Sequence, residues 1–130
     1  MQHLILVIED DPDVRLGYQM RLNANHYDTL FATDGYTSMV EAQKKPDLII
    51  LDLGLPAGDG FSVLERLQAI PHLAVIPVIV VSARDPSANR DRAIQAGAKA
   101  FLQKPVNNDE LLAIIRRYVK KWAGSDEEKT

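Results

Sequence analysis

Cysteine is absent from the 130 residues, which excludes disulfides, thiolate metal sites and cysteine nucleophiles. No apolar run reaches the roughly 18 residues that a membrane-spanning helix needs. Met1 leads straight into an apolar stretch, without the charged and then apolar leader of a secreted chain. A soluble, cytoplasmic protein with no membrane partner is therefore expected. Basic excess is missing as well: the formal net charge is −3, and the last nine residues, WAGSDEEKT, carry three acids and one lysine. Such a balance supplies no basic surface, so no direct nucleic-acid contact is expected. The sequence contains no internal repeat and no low-complexity tract beyond that acidic end.

What is present suits one compact domain. Hydrophobic residues make up 46% of the chain, enough for a core of its own and too little length for a second. We expect a domain over residues 1–122 and a flexible acidic tail over 123–130. Short β-branched and aliphatic runs at Leu4 to Ile8, Thr29 to Ala32, Leu48 to Leu51, Val78 to Val81 and Ala100 to Leu102 read as strands. Helical spacing falls between them: Val14, Tyr18 and Leu22; Phe61, Leu64 and Leu67; then Leu111, Ile115, Tyr118 and Trp122. The strand runs are apolar at consecutive positions, as in parallel strands covered on both faces, and right-handed crossovers then place helices on both sides. The expected fold is a doubly wound α/β domain. Its boundaries are marked by Asp11-Pro12 as cap and first helical residue, Gly97 as a helix stop, and turns at Asp34-Gly35, Pro46-Asp47 and Asp59-Gly60.

The stretch VIEDDPD, residues 7–13, sets three acids in a row directly after a strand that looks buried. Like charges 4 Å apart repel by about 4 kcal/mol at an effective dielectric near 20, so the arrangement needs a reason. In open parallel sheets, ligands gather at the carboxyl ends of the strands. Strand one ends at Glu9 and Asp10, strand three at Asp52, strand four at Ser82 and strand five at Lys104. Carboxylates converging on one rim suit a hard divalent cation such as Mg²⁺, with Mn²⁺ a possible substitute. Asp52 can accept a phosphoryl group as an acyl phosphate, while Lys104 pairs with its oxygens and the Ser82 hydroxyl donates a hydrogen bond.

The pieces VIEDDP, DLIILDLGLPAGDGF, VIVVSA and AFLQKP, in this order and at these strand ends, resemble the receiver domain of bacterial two-component response regulators, the CheY-like superfamily, from about His3 to Lys121. The resemblance implies a flavodoxin-like sheet of order 2-1-3-4-5 with five helices. It implies Asp52 as phosphoacceptor and Asp10 as the main metal ligand, with Asp52 and the Gly54 carbonyl completing the protein ligands and Glu9 acting through water. It makes Ser82 the switch hydroxyl, Lys104 the phosphate-pairing lysine and Phe101 the aromatic whose rotamer follows the state, beside a Lys104-Pro105 bond that is often cis. The implied partners are a histidine kinase or histidine phosphotransfer protein, which phosphorylates the domain, and an unknown output protein bound through residues 87–121. The family is not an enzyme in the ordinary sense, its catalysis being limited to its own phosphorylation and dephosphorylation.

Plainer roles stand beside these. Asp11 reads as an N-cap rather than a ligand, Ser82 could cap a strand, Lys104 could be a solvated charge, and Phe101 suits the core as well as a switch. Asp59 reads as a turn or cap residue, Tyr36 and His72 as surface or core-edge residues, and Trp122 as packing on the last helix or partly exposed. Gly54 and Arg84 differ from many relatives at positions that, by the resemblance, flank the acyl phosphate. Exchanging either is expected to change the dephosphorylation rate, and a rate insensitive to both contradicts this. Ser87 to Gly97 contains one large apolar residue, Ile94, so a weakly anchored helix able to shift is expected there. Other readings remain open: a receiver cut from a longer regulator or from a hybrid kinase, a phosphorylation-independent adaptor, or an aspartate-nucleophile hydrolase. The hydrolase is disfavoured because Gly54 stands where its motif needs a second aspartate.

Overall fold

The computed structural model describes residues 2–55 and 59–119, with only the backbone of Asp59. The expectations for Trp122 and the acidic tail lie outside these residues, as does that for the Asp59 side chain. Five parallel strands, β1 (Leu4–Ile8), β2 (Asp28–Ala32), β3 (Leu48–Asp52), β4 (Val78–Ser82) and β5 (Ala100–Gln103), form one sheet in the order β2-β1-β3-β4-β5. The helices are α1 (Pro12–Ala24), α2 (Gly35–Ala42), α3 (Asp59–Ala69), α4 (Pro71–Ala74), α5 (Pro86–Gln95) and α6 (Asn108–Tyr118). The fold class and sheet order are those expected, and the described helices number six rather than five. The extra one, α4, is a single turn started by Pro71 at its first position, and it buries Leu73.

Consecutive apolar residues are explained by the two cores. Along β1, Leu6 and Ile8 enter one cluster and Ile5 and Val7 the other; along β3, Ile49 and Leu51 part from Leu48 and Ile50 in the same way. Phe61, Leu64 and Leu67 of α3 fill the first cluster, and Tyr18, Leu22, Leu111 and Ile115 of α1 and α6 fill the second. Each fully buried Leu or Ile contributes about 1.5–3 kcal/mol relative to exposure, so slipping any strand by one residue would be costly on both faces.

Local signals set the boundaries. Asp11 accepts hydrogen bonds from Asp13 N (2.8 Å) and Val14 N (3.3 Å), and Pro12 opens α1. Asp34 does more than turn the chain: with Thr37 it forms a reciprocal cap on α2, and the Thr37 N–H bond in particular holds its carboxyl below the usual range. Asp47 accepts from Leu4 N at 2.7 Å, tying the start of β3 to β1. Gly97 has φ +111° and ends the α5 turn, a conformation that favours glycine. Tyr36 is exposed, and His72 meets Gln43 Oε1 at the surface, 2.9 Å away. Among the described residues, no helix is long and apolar enough to cross a membrane.

Candidate functional site

Because β1 lies between β2 and β3, the chain crosses the sheet after β2, and a crevice opens at the carboxyl ends of β1 and β3. Glu9 follows β1 directly, its N–H donating to Ala32 O at 3.0 Å, and Asp52 is the last residue of β3. Carboxylate oxygens of Glu9, Asp10 and Asp52 lie within 4.8 Å of one another. Glu9 and Asp52 are buried and Asp10 is exposed. Lys104, just past β5, reaches into this group: its Nζ is 3.1 Å from Glu9 Oε1 and 3.3 Å from Asp52 Oδ2. The Lys104-Pro105 peptide is cis.

Each carboxylate is held differently. Glu9 Oε2 accepts from Asp11 N at 3.2 Å, and Asp52 Oδ1 accepts from Gly54 N at 2.9 Å. Asp11 is engaged as a helix cap, leaving Asp10, to whose carboxylate no other described residue donates a hydrogen bond. Ser82 ends β4 one residue past Val81, the register partner of Asp52. It is fully buried, and its Oγ accepts from Arg84 N at 2.9 Å, which leaves the hydroxyl proton free to be donated. Phe101 lies in the first core cluster at 8% exposure, at the edge of a cleft of about 270 Å³ that also borders Pro86, Arg90 and Glu110. A larger cleft of about 510 Å³ opens beside Lys104 against Val14, Tyr18 and Arg21. Burial pushes the Tyr18 phenol up to about 12, so it stays neutral there.

A simple ion pair lowers the acid and raises the base. Here only the base follows. Burial, with the Asp52 charge added, raises the Glu9 carboxyl above its ordinary 4.5 against the pull of Asp11 N–H and Lys104. Burial works to lower the Lys104 ammonium, but Asp52 and Glu9 together outweigh it and hold it above 10.5. A carboxyl with a raised folded value contributes stability that is complete below its unfolded value and is lost as pH rises through the folded one. In the absence of divalent ions, wild type should therefore lose stability relative to Glu9→Gln as pH rises through a window beginning near 4.5. Thermal midpoints of both proteins between about pH 4 and 8 check this. A pH-independent difference contradicts it.

Thus the structure brings together Glu9, Asp10, Asp52 and Lys104, with the Gly54 backbone against Asp52 and Ser82 on the adjoining strand end. Phe101 stands apart, in the core. Arg15, one turn beyond the Asp11 cap, escaped the sequence reading; its Nη1 donates to Glu9 O (3.0 Å) and Asp10 O (2.9 Å). A signal exists, since an arginine four residues after a helix cap faces back towards the loop before the helix. Gly60 also escaped: a Cβ there would lie 2.5 Å from Leu53 Cα and 2.7 Å from Asp52 O.

A five-stranded parallel sheet of order β2-β1-β3-β4-β5, with acids at the ends of β1 and β3 and a lysine after β5, defines a doubly wound α/β domain with a charged rim at the carboxyl ends of its strands. A family model described as the response regulator receiver domain matches residues 5–116, and the chain belongs to that family. It is 37% identical over 119 residues to the transcriptional regulatory protein KdpE of Mycobacterium tuberculosis, covering 91% of this chain and 51% of that one. It is 36% identical over 118 residues to the response regulator PleD of Caulobacter vibrioides, covering 89% and 26%. The chain thus spans about half the length of the first of these relatives and about a quarter of the second. Among solved structures, it resembles the receiver domain of the sensor histidine kinase PA1611 of Pseudomonas aeruginosa, which has a magnesium ion coordinated in its active site cleft. That likeness has a TM-score of 0.83 and 28% identity, covering 92% of this chain and 98% of that one.

Proposed function

We propose that Asp52 accepts a phosphoryl group from the phosphohistidine of a histidine kinase or histidine phosphotransfer protein. The observation that carries this reading is the convergence of Asp52 with Glu9, Asp10 and Lys104 at one rim. Asp52 Oδ attacks phosphorus, the P–N bond breaks, and the imidazole nitrogen leaves with the bonding pair and takes up a proton; an acyl phosphate results. Lys104 already pairs with the attacking carboxylate and neutralises charge on the transferred oxygens, and the Ser82 hydroxyl donates to one of them. Asp10 and Asp52, with the Gly54 carbonyl and with Glu9 through water, form an oxygen-only donor set that fits Mg²⁺ or Mn²⁺. Such a cation, when bound, neutralises charge on the phosphoryl oxygens.

The donor must reach this rim from outside. Leu16 and Met20, exposed four residues apart on one face of α1, the helix that follows the acids, give it an apolar surface there. Phosphorylation adds about −1.5 to −2 charges at Asp52, towards which Ser82 and Lys104 move while Phe101 fills the space vacated by Ser82. The output surface is α5, β5 and α6, within residues 87–121. Its mobile part is α5, whose buried residue is Ala93 rather than Ile94, which is 40% exposed. A further tie is the Arg92 guanidinium, 3.7 Å from the centre of the Phe61 ring.

The test is intact mass after incubation with a small acyl phosphate, with and without Mg²⁺, together with hydrogen exchange over residues 87–97. A single metal-dependent adduct and altered exchange in that segment are expected. No adduct, under conditions that label another receiver, leaves a phosphorylation-independent adaptor as the better reading. An adduct with unchanged exchange removes α5 from the switch.

A further inference from the structure

The three acids after β1 are held from different directions, and the least restrained is the one on which the proposed cation site most depends. Glu9 is fixed at its carboxylate by Lys104 and Asp11 N–H, and Asp11 is fixed at its carboxylate by the first turn of α1. Asp10 has neither restraint, yet its carboxylate must stay near those of Glu9 and Asp52. The carbonyls of both its peptide units are held instead by one side chain, Arg15, whose Nη1 donates to Glu9 O and Asp10 O at 3.0 and 2.9 Å. These bonds are charge-assisted, and they fix the carbonyls on either side of the Asp10 nitrogen and Cα. The arginine is anchored in turn, because Arg15 N donates to Asp11 O at 3.0 Å in the first turn of α1.

We infer that Arg15 is a positioning residue for the cation site: it clamps the Glu9–Asp10 backbone so that the Asp10 carboxylate is aimed at Asp52 before any ion arrives. This rests on the reading of the acids proposed above. A competing account gives Arg15 only its charge, offsetting the neighbouring acids. The two accounts predict opposite signs. A cation beside the site repels a divalent ion, so removing the charge alone tightens Mg²⁺ binding, whereas removing the clamp lets Asp10 sample other orientations and weakens it.

The experiment is calorimetric titration of the unphosphorylated protein with MgCl₂, for wild type, Arg15→Ala, Arg15→Gln and Arg15→Lys. It is paired with rates of phosphoryl uptake from a small acyl phosphate as Mg²⁺ is varied. Arg15→Ala should raise the Mg²⁺ dissociation constant about 10-fold or more, the scale set by groups that orient metal ligands. Arg15→Lys, which keeps a charged donor of shorter reach, should raise it less. The half-saturating Mg²⁺ concentration for phosphoryl uptake should rise by the same factor, while the plateau rate at saturating Mg²⁺ stays near wild type. Unchanged or tighter binding in Arg15→Ala overturns the inference. So does a lowered plateau with an unchanged half-saturation, which marks general damage. If Arg15→Ala does not fold, Arg15→Gln carries the same signs and decides. Wild type that binds no Mg²⁺ overturns the reading of the site itself, a result distinct from a binding wild type with insensitive variants.

Discussion

Asp52→Asn protein should take up no phosphoryl group and yet be more stable than wild type in metal-free buffer near neutral pH. The first half follows from the chemistry, because an amide at this position is no nucleophile and Glu9 is buried against Lys104. The second half follows from counting charges. Asp52 faces two acids, Glu9 and Asp10, and one cation, Lys104. Neutralising it removes two repulsions and one attraction, and it relieves part of what raises Glu9. One hydrogen bond is at risk, since an amide has a single acceptor where the carboxylate serves both Gly54 N–H and Lys104; Gly54 is exposed and can turn to water. A net gain of about 1 kcal/mol, or a few degrees in the thermal midpoint, is expected after screening through the exposed rim. Added Mg²⁺ should shrink the gap by binding wild type better. A variant less stable than wild type without metal contradicts the picture of an electrostatically strained site.

Gly60→Ala should be the most damaging of the conservative changes. Alanine is ordinarily the better helix former by about 1 kcal/mol. At Gly60, though, the new Cβ meets backbone, 2.5 Å from Leu53 Cα and 2.7 Å from Asp52 O, and backbone cannot rotate out of the way. Gly60 N also donates to Leu53 O at 3.1 Å, so α3 rests on the chain that carries Asp52. Forcing them apart should cost about 2–3 kcal/mol and slow phosphoryl uptake, because Asp52 moves with its carbonyl. Gly17→Ala is the control: in the middle of α1 its Cβ meets only the Arg21 side chain, at 3.5 Å. It should stabilise by about 0.5–1 kcal/mol. Denaturant midpoints of the two variants, moving in opposite directions, check the pair. Equal shifts contradict the close approach.

Much of this was legible in the sequence, for a physical reason. Strands buried on both faces must be apolar at every position, so β1, β3 and β4 stand out as runs, and the first polar residue after each one marks the rim. Glu9, Asp52 and Ser82 are such residues, and Lys104 directly follows Gln103, the polar end of β5, so the placement of all four at strand ends could be read from the sequence. What could not be read depends on contacts across the sheet or on single turns. The turn α4 is too short to show a period. In α5 the sequence offers one large apolar residue, Ile94, and a weakly anchored helix; which residue of it is buried was not legible, and it is the small Ala93, while Ile94 is 40% exposed. Arg15 and Gly60 act through backbone carbonyls and a close approach, features that no hydrophobic pattern encodes.

The most direct measurement is the location of the phosphoryl group. Protein phosphorylated by a small acyl phosphate with Mg²⁺ would be reduced with borohydride, which converts an aspartyl phosphate to homoserine, and then mapped by peptide mass spectrometry. Homoserine at position 52 alone, and none without Mg²⁺, is the predicted result. Homoserine at Asp10 or at any other acid, or none in a protein that has gained the phosphoryl mass, would contradict Asp52 as the acceptor.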